Sequence, residues 1–468
     1  MRAALTQLRA SRMDLVLSRC VTRALVFGIL LLHAATSQVA AAPKAVVLQI
    51  DGAIGPAVAD YVVRELRGIN QADTRLVVLR MNTPGGLDTS MREIIRAILS
   101  SPVPVAAYVA PSGARAASAG TYITYASAIA AMAPGTNLGA ATPIQLGGTP
   151  RLPGGTPQQK DKEKSSGGDT SASEPADTET RKAINDAVAY IRGLAELNGR
   201  NADWAAEAVR TAVSLSASEA LKLNVIDVIA DDVPDLLRKI DGRSVKVAGK
   251  PQTLATADLE IVTAVPDWRT ELLAVITDPN VAFILLLIGT YGLIFEFLNP
   301  GAVAPGLIGS ISLLVALYAL NLLPINYAGA ALVLLGIGLM VAEAHIGSFG
   351  VIGVGGIAAF VIGAIMMFPP GAPGFALSLS VVAGATALTA ALFLLVLTML
   401  LRSRRRPVVT GKEGLLGAEG EAVAWDGEEG RVRVHGEIWR ARAQGPLQPG
   451  TRVKVVNREG LVLVVEPA

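Results

Sequence analysis

Leu76-Val-Val-Leu-Arg-Met-Asn-Thr-Pro-Gly-Gly86 is an aliphatic run that ends abruptly in a turn of Asn, Pro and paired glycines. A short apolar run bounded by turn formers reads as a buried strand. On either side the pattern repeats. Ala45-Val-Val-Leu-Gln-Ile50 is a second such run, a helix is expected from about Pro56 to Ile69 and another from about Thr89 to Leu99, and Val103 to Val109 reads as a further strand. Strands alternating with helices predict an α/β domain with a buried, mainly parallel sheet. Paired glycines at a strand end let backbone N–H groups approach a ligand closely, which suits an oxyanion donor. From the pentapeptide Asn82 to Gly86 alone, a plain strand-to-helix turn is the better reading.

Further on stands Ala114-Arg-Ala-Ala-Ser-Ala-Gly-Thr-Tyr122, in which Ser118 is surrounded by side chains too small to shield it. The stretch reads as a tight turn opening a helix, where free N–H groups and the positive dipole end stabilise developing negative charge. By itself, a serine there is an ordinary N-cap or packing residue. The histidines narrow the catalytic reading. Only His33, His345 and His435 are present, in the leader, the membrane part and the tail, so no imidazole lies near Ser118 in the sequence. A Ser-His-Asp triad is therefore disfavoured, and the base for a catalytic Ser118 must be a lysine or a carboxylate.

With 51% hydrophobic residues and a mean hydropathy of +0.47, the 468-residue chain is too apolar for an ordinary soluble protein. Its formal net charge of +2 provides no global field that would attract nucleic acid. The single cysteine, Cys20, excludes a disulfide framework and a thiolate metal cage, and no His-Glu-x-x-His zinc motif occurs. Residues 1–42 have the layout of a signal peptide: an arginine-bearing start, the apolar run Ala24 to Leu32, and small residues before Pro43. An uncleaved anchor is the alternative, and either way the domain over 43–245 is exported.

Residues 146–180 are rich in Gly, Pro, Ser, Thr, Gln and charge, and such a stretch cannot bury enough surface to offset its ordering entropy. A disordered loop is expected there. Order resumes at Arg181-Lys182, with Ile184, Val188, Ile191 and Ala195 at helical spacing. Residues 246–280 read as a linker. The second half carries apolar runs at about 281–298, 303–323, 328–344, 348–367 and 376–401, a transmembrane region of about five helices. The cluster Arg402-Ser-Arg-Arg-Arg406 follows the last run, so the positive-inside rule makes that end cytoplasmic and, with an odd number of spans, the N-terminal domain extracytoplasmic. Glu296, Glu343 and His345 are ionisable residues near span ends, where water is in reach. Over 408–468, five short β-rich runs separated by glycine turns predict a small all-β barrel of the OB type. Trp425 and Trp439 are too few aromatics for a nucleic-acid stacking platform, which leaves protein contact as its role.

The motifs Thr83-Pro-Gly-Gly86, Ala117-Ser-Ala-Gly-Thr-Tyr122 and Met132-Ala-Pro-Gly-Thr136, followed by a multi-span region and a small barrel, resemble the long form of the NfeD family. The resemblance implies a membrane-bound serine protease. Its catalytic domain would be an α/β Clp/crotonase-like spiral of ββα units, similar to Clp protease and signal peptide peptidase A. It would be joined to an all-α transmembrane bundle and an OB-like barrel. The resemblance also implies that Ser118 is the nucleophile and Lys182 the general base, and that Gly85, Gly86 and the Ala119 N–H line the oxyanion hole. It further implies an apolar peptide substrate, such as the tail of a stomatin-like membrane protein, a homodimer or higher oligomer, and no cofactor. Lys160, Lys162 and Lys164 also lie between the motifs. A lysine base must be neutral to accept the serine proton, which needs a fixed, desolvated position, and of these lysines Lys182 alone opens an amphipathic helix. A non-catalytic membrane scaffold is the alternative for the same layout, and a transporter using Glu296 and Glu343 is a third.

Overall fold

The computed structural model describes residues 42–143, 175–346, 348, 350–368, 374–404 and 412–468. The expected leader up to residue 41, the loop over 146–174 with Lys160, Lys162 and Lys164, and Arg405–Arg406 lie outside the described residues. Two compact units are formed, one reaching to Leu335 and taking in Ala359–Ala385, the other made of Gly336–Ala358 and Thr386–Ala468.

The α/β domain begins with β1 (Lys44–Asp51), α1 (Pro56–Arg67), β2 (Thr74–Asn82), α2 (Asp88–Ser100) and β3 (Val105–Val109). It continues through β4 (Arg115–Ala117), α3 (Ala119–Ala126), β5 (Ile129–Met132) and β6 (Asn137–Gly139). After the loop come α4 (Pro175–Leu197), α5 (Ala202–Arg210), β7 (Ser214–Ser216), α6 (Ala217–Lys222), β8 (Val228–Ile229) and α7 (Val233–Ile240). The domain closes with β9 (Ser244–Val247), β10 (Lys250–Thr253), β11 (Glu260–Ala264) and α8 (Trp268–Ile276). Six strands form one sheet in the order β11-β1-β2-β3-β5-β8, every pair parallel. Ile50, Met81, Val109, Met132 and Ile229 share one register row across five of its strands. The central strands are apolar on both faces because helices cover both, so Leu76, Val77, Val78 and Leu79 are all fully buried. A second, three-stranded sheet, β4-β6-β7, stands at the carboxyl ends of these strands and carries the chain into Ser118.

Two expectations for this domain are corrected. Residues 246–280 are not a linker: β11 pairs with β1 from Lys44↔Glu260 to Leu48↔Ala264, and α8 is tied to α1 by Arg64, which reaches Asp267 and Thr270 at 2.9 Å each. The β-branched core of Glu260-Ile-Val-Thr-Ala264 suits an edge strand, but only the long-range partner reveals it. The helix after the loop starts at Pro175 rather than at Arg181, since the fixed φ of proline suits the first helical position. Lys182 therefore lies in its second turn.

The membrane part contains α9 (Pro279–Leu298), α10 (Ala304–Leu322), α11 (Tyr327–Ile346), α12 (Val351–Met367) and α13 (Leu379–Arg404). Of the five expected spans, three helices among the described residues are long and apolar enough to cross a bilayer: Pro279–Leu298, Ala304–Leu322 and Leu379–Met399. Two further apolar stretches among the described residues, Tyr327–Glu343 in α11 and Val351–Met367 in α12, are shorter. In the first hairpin a Cβ on Gly292 would lie 2.8 Å from the Gly309 Cα, so missing side chains let α9 and α10 pack backbone to backbone.

The chain ends with α14 (Lys412–Leu415), β12 (Glu419–Asp426), β13 (Glu429–Val434), β14 (Glu437–Arg442), β15 (Arg452–Glu459) and β16 (Val462–Pro467). The five strands close into a barrel in the order β12-β13-β14-β16-β15, as the alternating sequence predicts. Val432, Val434, Ala441, Val453, Val455, Leu463 and Val465 fill it.

Candidate active site

Ser118 joins β4 to α3 with φ +49° and ψ −114°. Positive φ is unfavourable for a residue with a Cβ, by about 1–3 kcal/mol, and persists only where its surroundings impose it. Here they do. The Ser118 N–H donates to the Gly139 carbonyl at 3.0 Å, and the Thr121 N–H donates to the Ser118 carbonyl at 2.9 Å. The Thr121 hydroxyl bonds the carbonyls of Ala116 and Gly139 at 3.0 and 2.8 Å, and all eight residues of α3 are buried, so the helix start cannot slide. Ser118 occupies the N-cap position, yet its side chain makes no cap hydrogen bond. The ordinary reading of this serine, a helix cap, is thus not the one realised, and the half-buried hydroxyl stays available.

The glycine turn meets Ser118 directly. A Cβ on Gly85, whose φ is +110°, would stand 2.6 Å from the Ser118 Cβ and 3.2 Å from its Oγ. Thr83 holds the turn: its N–H donates to the Arg115 carbonyl at 2.7 Å, and its own carbonyl accepts from the Ala117 N–H at 3.1 Å. Its Oγ1 accepts the Gly85 N–H at 3.0 Å, so that amide is already engaged. Gly86 pairs with Ile54 in a parallel bridge closed by Ile54 N–H to the Gly85 carbonyl and Leu87 N–H to the Ile54 carbonyl. That bridge leaves the Gly86 N–H on the far side, without a hydrogen-bond partner among the described residues. The Ala119 N–H, first of α3, likewise has none there, as expected of a helix start. Of the three backbone positions expected around an oxyanion, Gly86 and Ala119 hold unpartnered donors, while Gly85 contributes closeness.

Lys182 is exposed on α4, and no hydrogen bond joins it to Ser118 among the described residues. The structure thus brings Ser118, Gly85, Gly86 and Ala119 together and leaves Lys182 outside that cluster. The position of α4 is nevertheless defined. Tyr190 stacks on Tyr122 at 6.1 Å, and the Arg92 guanidinium lies 4.5 Å from the Tyr190 ring centre. Arg92 also bridges Asp88 and Asp186, each at 2.8 Å. Lys182 stands one helical turn before Asp186 on the same side of α4, and Asp88 follows the glycine turn by two residues. Sequence reasoning missed Thr83 and Arg92, although the threonine inside Asn-Thr-Pro-Gly-Gly was a visible signal.

Tyr122, beside the nucleophile, does not compete as a base. Desolvation pushes its phenol well above the usual range, Asp88 adds to the shift, and its O–H donates to the Ala141 carbonyl at 3.1 Å. No group of three or more His, Cys, Asp or Glu able to hold a metal occurs among the described residues. A cleft of about 870 Å³ opens beside Leu87, Asp88 and Ser90 and extends to Tyr318, Leu322 and Pro324 at the end of α10.

Three family models match the chain. They are the NfeD1b N-terminal domain over residues 44–249, the NfeD integral membrane domain over 280–399, and the NfeD-like C-terminal, partner-binding domain over 412–467. The chain is 35% identical to membrane-bound protease PH1510 of Pyrococcus horikoshii over 429 residues, which is 90% of this chain and 92% of that one. It is 26% identical to membrane protein NfeD1b of Bacillus subtilis over 331 residues, 67% of this chain and 65% of that one. Among solved structures, the 1510-N membrane protease specific for a stomatin homolog from Pyrococcus horikoshii aligns at 32% identity. The alignment covers 51% of this chain and all of that one, with a TM-score of 0.40.

Proposed function

The chain belongs to the NfeD family, and on that premise we propose that it is a membrane-bound serine endopeptidase with a Ser118–Lys182 dyad. The Ser118 Oγ attacks the peptide carbonyl carbon, and neutral Lys182 takes the hydroxyl proton and returns it to the leaving amine. Water activated by the same lysine then hydrolyses the acyl-enzyme. The N–H groups of Gly86 and Ala119 hold the oxyanion, with Gly85 giving the carbonyl room to approach. The single observation that carries this reading is the conformation of Ser118: positive φ, a hydroxyl not used as a cap, and Gly85 packed against it.

Support for Lys182 comes from the Asp88–Arg92–Asp186 relay, which ties its side of α4 to the segment just after the glycine turn. A lysine base works only when desolvated, so the exposed face of α4 must be covered during reaction, by substrate or by a second copy of the chain. The substrate is a hydrophobic segment delivered at the membrane surface, such as the tail of a stomatin-like protein; the cleft between Leu87, just after the glycine turn, and the end of α10 lies on that side of the domain. No cofactor is required. The protease domain faces the extracytoplasmic side and the barrel the cytoplasm, where it contacts protein partners.

The test is cleavage of hydrophobic peptides by the purified full-length protein in detergent, beside Ser118→Ala and Lys182→Ala. Both variants should lose hydrolysis, and a fluorophosphonate should label wild type but not Ser118→Ala. Equal cleavage by all three sinks the proposal. A requirement for Lys160, Lys162 or Lys164 in place of Lys182 sinks the dyad.

A further inference from the structure

Thr83 is fully buried and touches three parts of the site at once. Its hydroxyl accepts the Gly85 N–H at 3.0 Å and donates to the Gly85 carbonyl at 3.1 Å. Its backbone clamps β4 on both sides of Ala116. Its Cγ2 would be 2.8 Å from a Cβ on Gly120, in the first turn of α3. We infer that Thr83 is a positioning residue: by occupying the Gly85 amide and fastening the turn to the strand before Ser118, it leaves the Gly86 N–H as the turn's donor. This rests on the serine-protease reading. Without the hydroxyl the Gly85 amide is released, and the Gly85–Gly86 peptide, still fastened through Ile54, can tilt so that the donor loses its aim while the buried shape is kept.

The experiment is steady-state peptide hydrolysis by full-length Thr83→Val, Thr83→Ala and Thr83→Ser with thermal unfolding alongside. Thr83→Val should lower kcat by about 10- to 100-fold with KM little changed, since an oxyanion donor acts mainly in the transition state. Thr83→Ser, which keeps the hydroxyl, should stay within a few-fold of wild type. If Thr83→Val does not fold, Thr83→Ser must still exceed Thr83→Ala by about tenfold. Ser118-dependent hydrolysis that is indifferent to the hydroxyl overturns the role of Thr83 alone. Absence of Ser118-dependent hydrolysis in wild type overturns the underlying reading instead.

The membrane helices repeat one motif. At the end of α9 the Glu296 carboxylate accepts N–H bonds from Gly301, Val303 and Gly306, residues five, seven and ten positions downstream. At the end of α11, Glu343 accepts the Ser348 hydroxyl and the Gly350 and Gly353 N–H groups, again five, seven and ten positions downstream. In both, the two carboxylate oxygens are engaged and the last donor lies in the first turn of the returning helix. Close packing repeats too: a Cβ on Gly309 would lie 2.9 Å from the Leu293 N, and one on Gly356 would lie 2.7 Å from the Gly336 carbonyl oxygen. In α10 the N-cap residue Val303 makes no side-chain cap bond, so the glutamate of the preceding helix does that work.

We infer that α9–α10 and α11–α12 are two copies of one carboxylate-latched helical hairpin, and that Glu296 and Glu343 act as latches rather than as carriers of ions or protons. In apolar surroundings, unsatisfied N–H groups at a helix start are expensive, and each glutamate meets that need while finding partners for its own charge. The test is hydrogen exchange on the full-length protein in detergent, read on peptides spanning the two bends. Glu296→Gln should release protection by tenfold or more either at Gly301 and Val303 or at Gly306, and Glu343→Gln either at Gly350 or at Gly353, with no change in the other hairpin, because the amide nitrogen replaces one of the two accepting oxygens and turns a donor toward a donor. If Glu343→Gln cannot be purified, Glu343→Asp, one methylene too short to reach both amides, must raise exchange at Gly350 or Gly353. Unchanged protection in an altered hairpin overturns the latch.

Discussion

Gly85→Ala tests the contact on which the active-site reading rests. The substitution has two effects that can be separated. At φ +110° an alanine is strained, by roughly 1–2 kcal/mol. In addition, its Cβ would stand 2.6 Å from the Ser118 Cβ, whereas ordinary contact begins at 3.4 Å. Ser118 or the turn must then shift by roughly 1 Å, and a displacement of that size at a reacting group lowers the rate by about 100-fold, or about 2.7 kcal/mol. Gly113 provides the control. It has φ +87° with nothing within 4 Å of its hypothetical Cβ, so Gly113→Ala carries backbone strain without the collision. The assay is the rate of Ser118 labelling by a fluorophosphonate, with thermal unfolding followed in parallel. Both variants should lose stability, Gly85→Ala the more, and only Gly85→Ala should lose about two orders of magnitude in labelling. Equal labelling rates in the two variants would refute the placement of the glycine turn against the nucleophile.

Arg200 is buried, bonds Asp227 at 2.7 Å and donates to the Thr124 and Tyr125 carbonyls at the end of α3, so Arg200→Met should destabilise the α/β domain by about 3 kcal/mol. Denaturant unfolding followed by Trp204 fluorescence, the ring stacked on Tyr125, measures it. Arg92→Ala removes exposed ion pairs that contribute little to stability, about 0.5 kcal/mol each, but it frees the side of α4 carrying Lys182. Hydrolysis should therefore fall several-fold with an almost unchanged melting point. The Asp241 carboxyl is held below its ordinary value, first by the Thr256 N–H at 2.6 Å and then by the Ala257 N–H at 3.2 Å. Because its pKa is lowered on folding, its stabilising contribution is complete above the unfolded value near ~3.9 and is lost as the pH falls through the folded value. Asp241→Asn should accordingly flatten the stability profile below about pH 4 and leave its shape at neutral pH unchanged.

Much of this protein is written in local patterns. Aliphatic runs ending in glycine turns marked the parallel strands, apolar runs marked the membrane helices, and alternation marked the five barrel strands, because each depends on neighbours a few residues apart. The absence of any histidine near Ser118 narrowed its possible base before any fold was known. What the tertiary structure decided depends on partners distant in sequence. Ser118 acquires positive φ because Gly139 and Thr121 hold it, and Gly86 rather than Gly85 keeps a free amide because Thr83 occupies its neighbour. Edge strand β11 exists because β1, about two hundred residues earlier, offers it a ladder. Lys182 shares that dependence. Its sequence position marks it as a candidate base, but the direction it faces is set by Arg92 and Tyr122 on other helices. Hydrogen-bond register and side-chain direction between distant segments are properties of packing, and no local pattern encodes them.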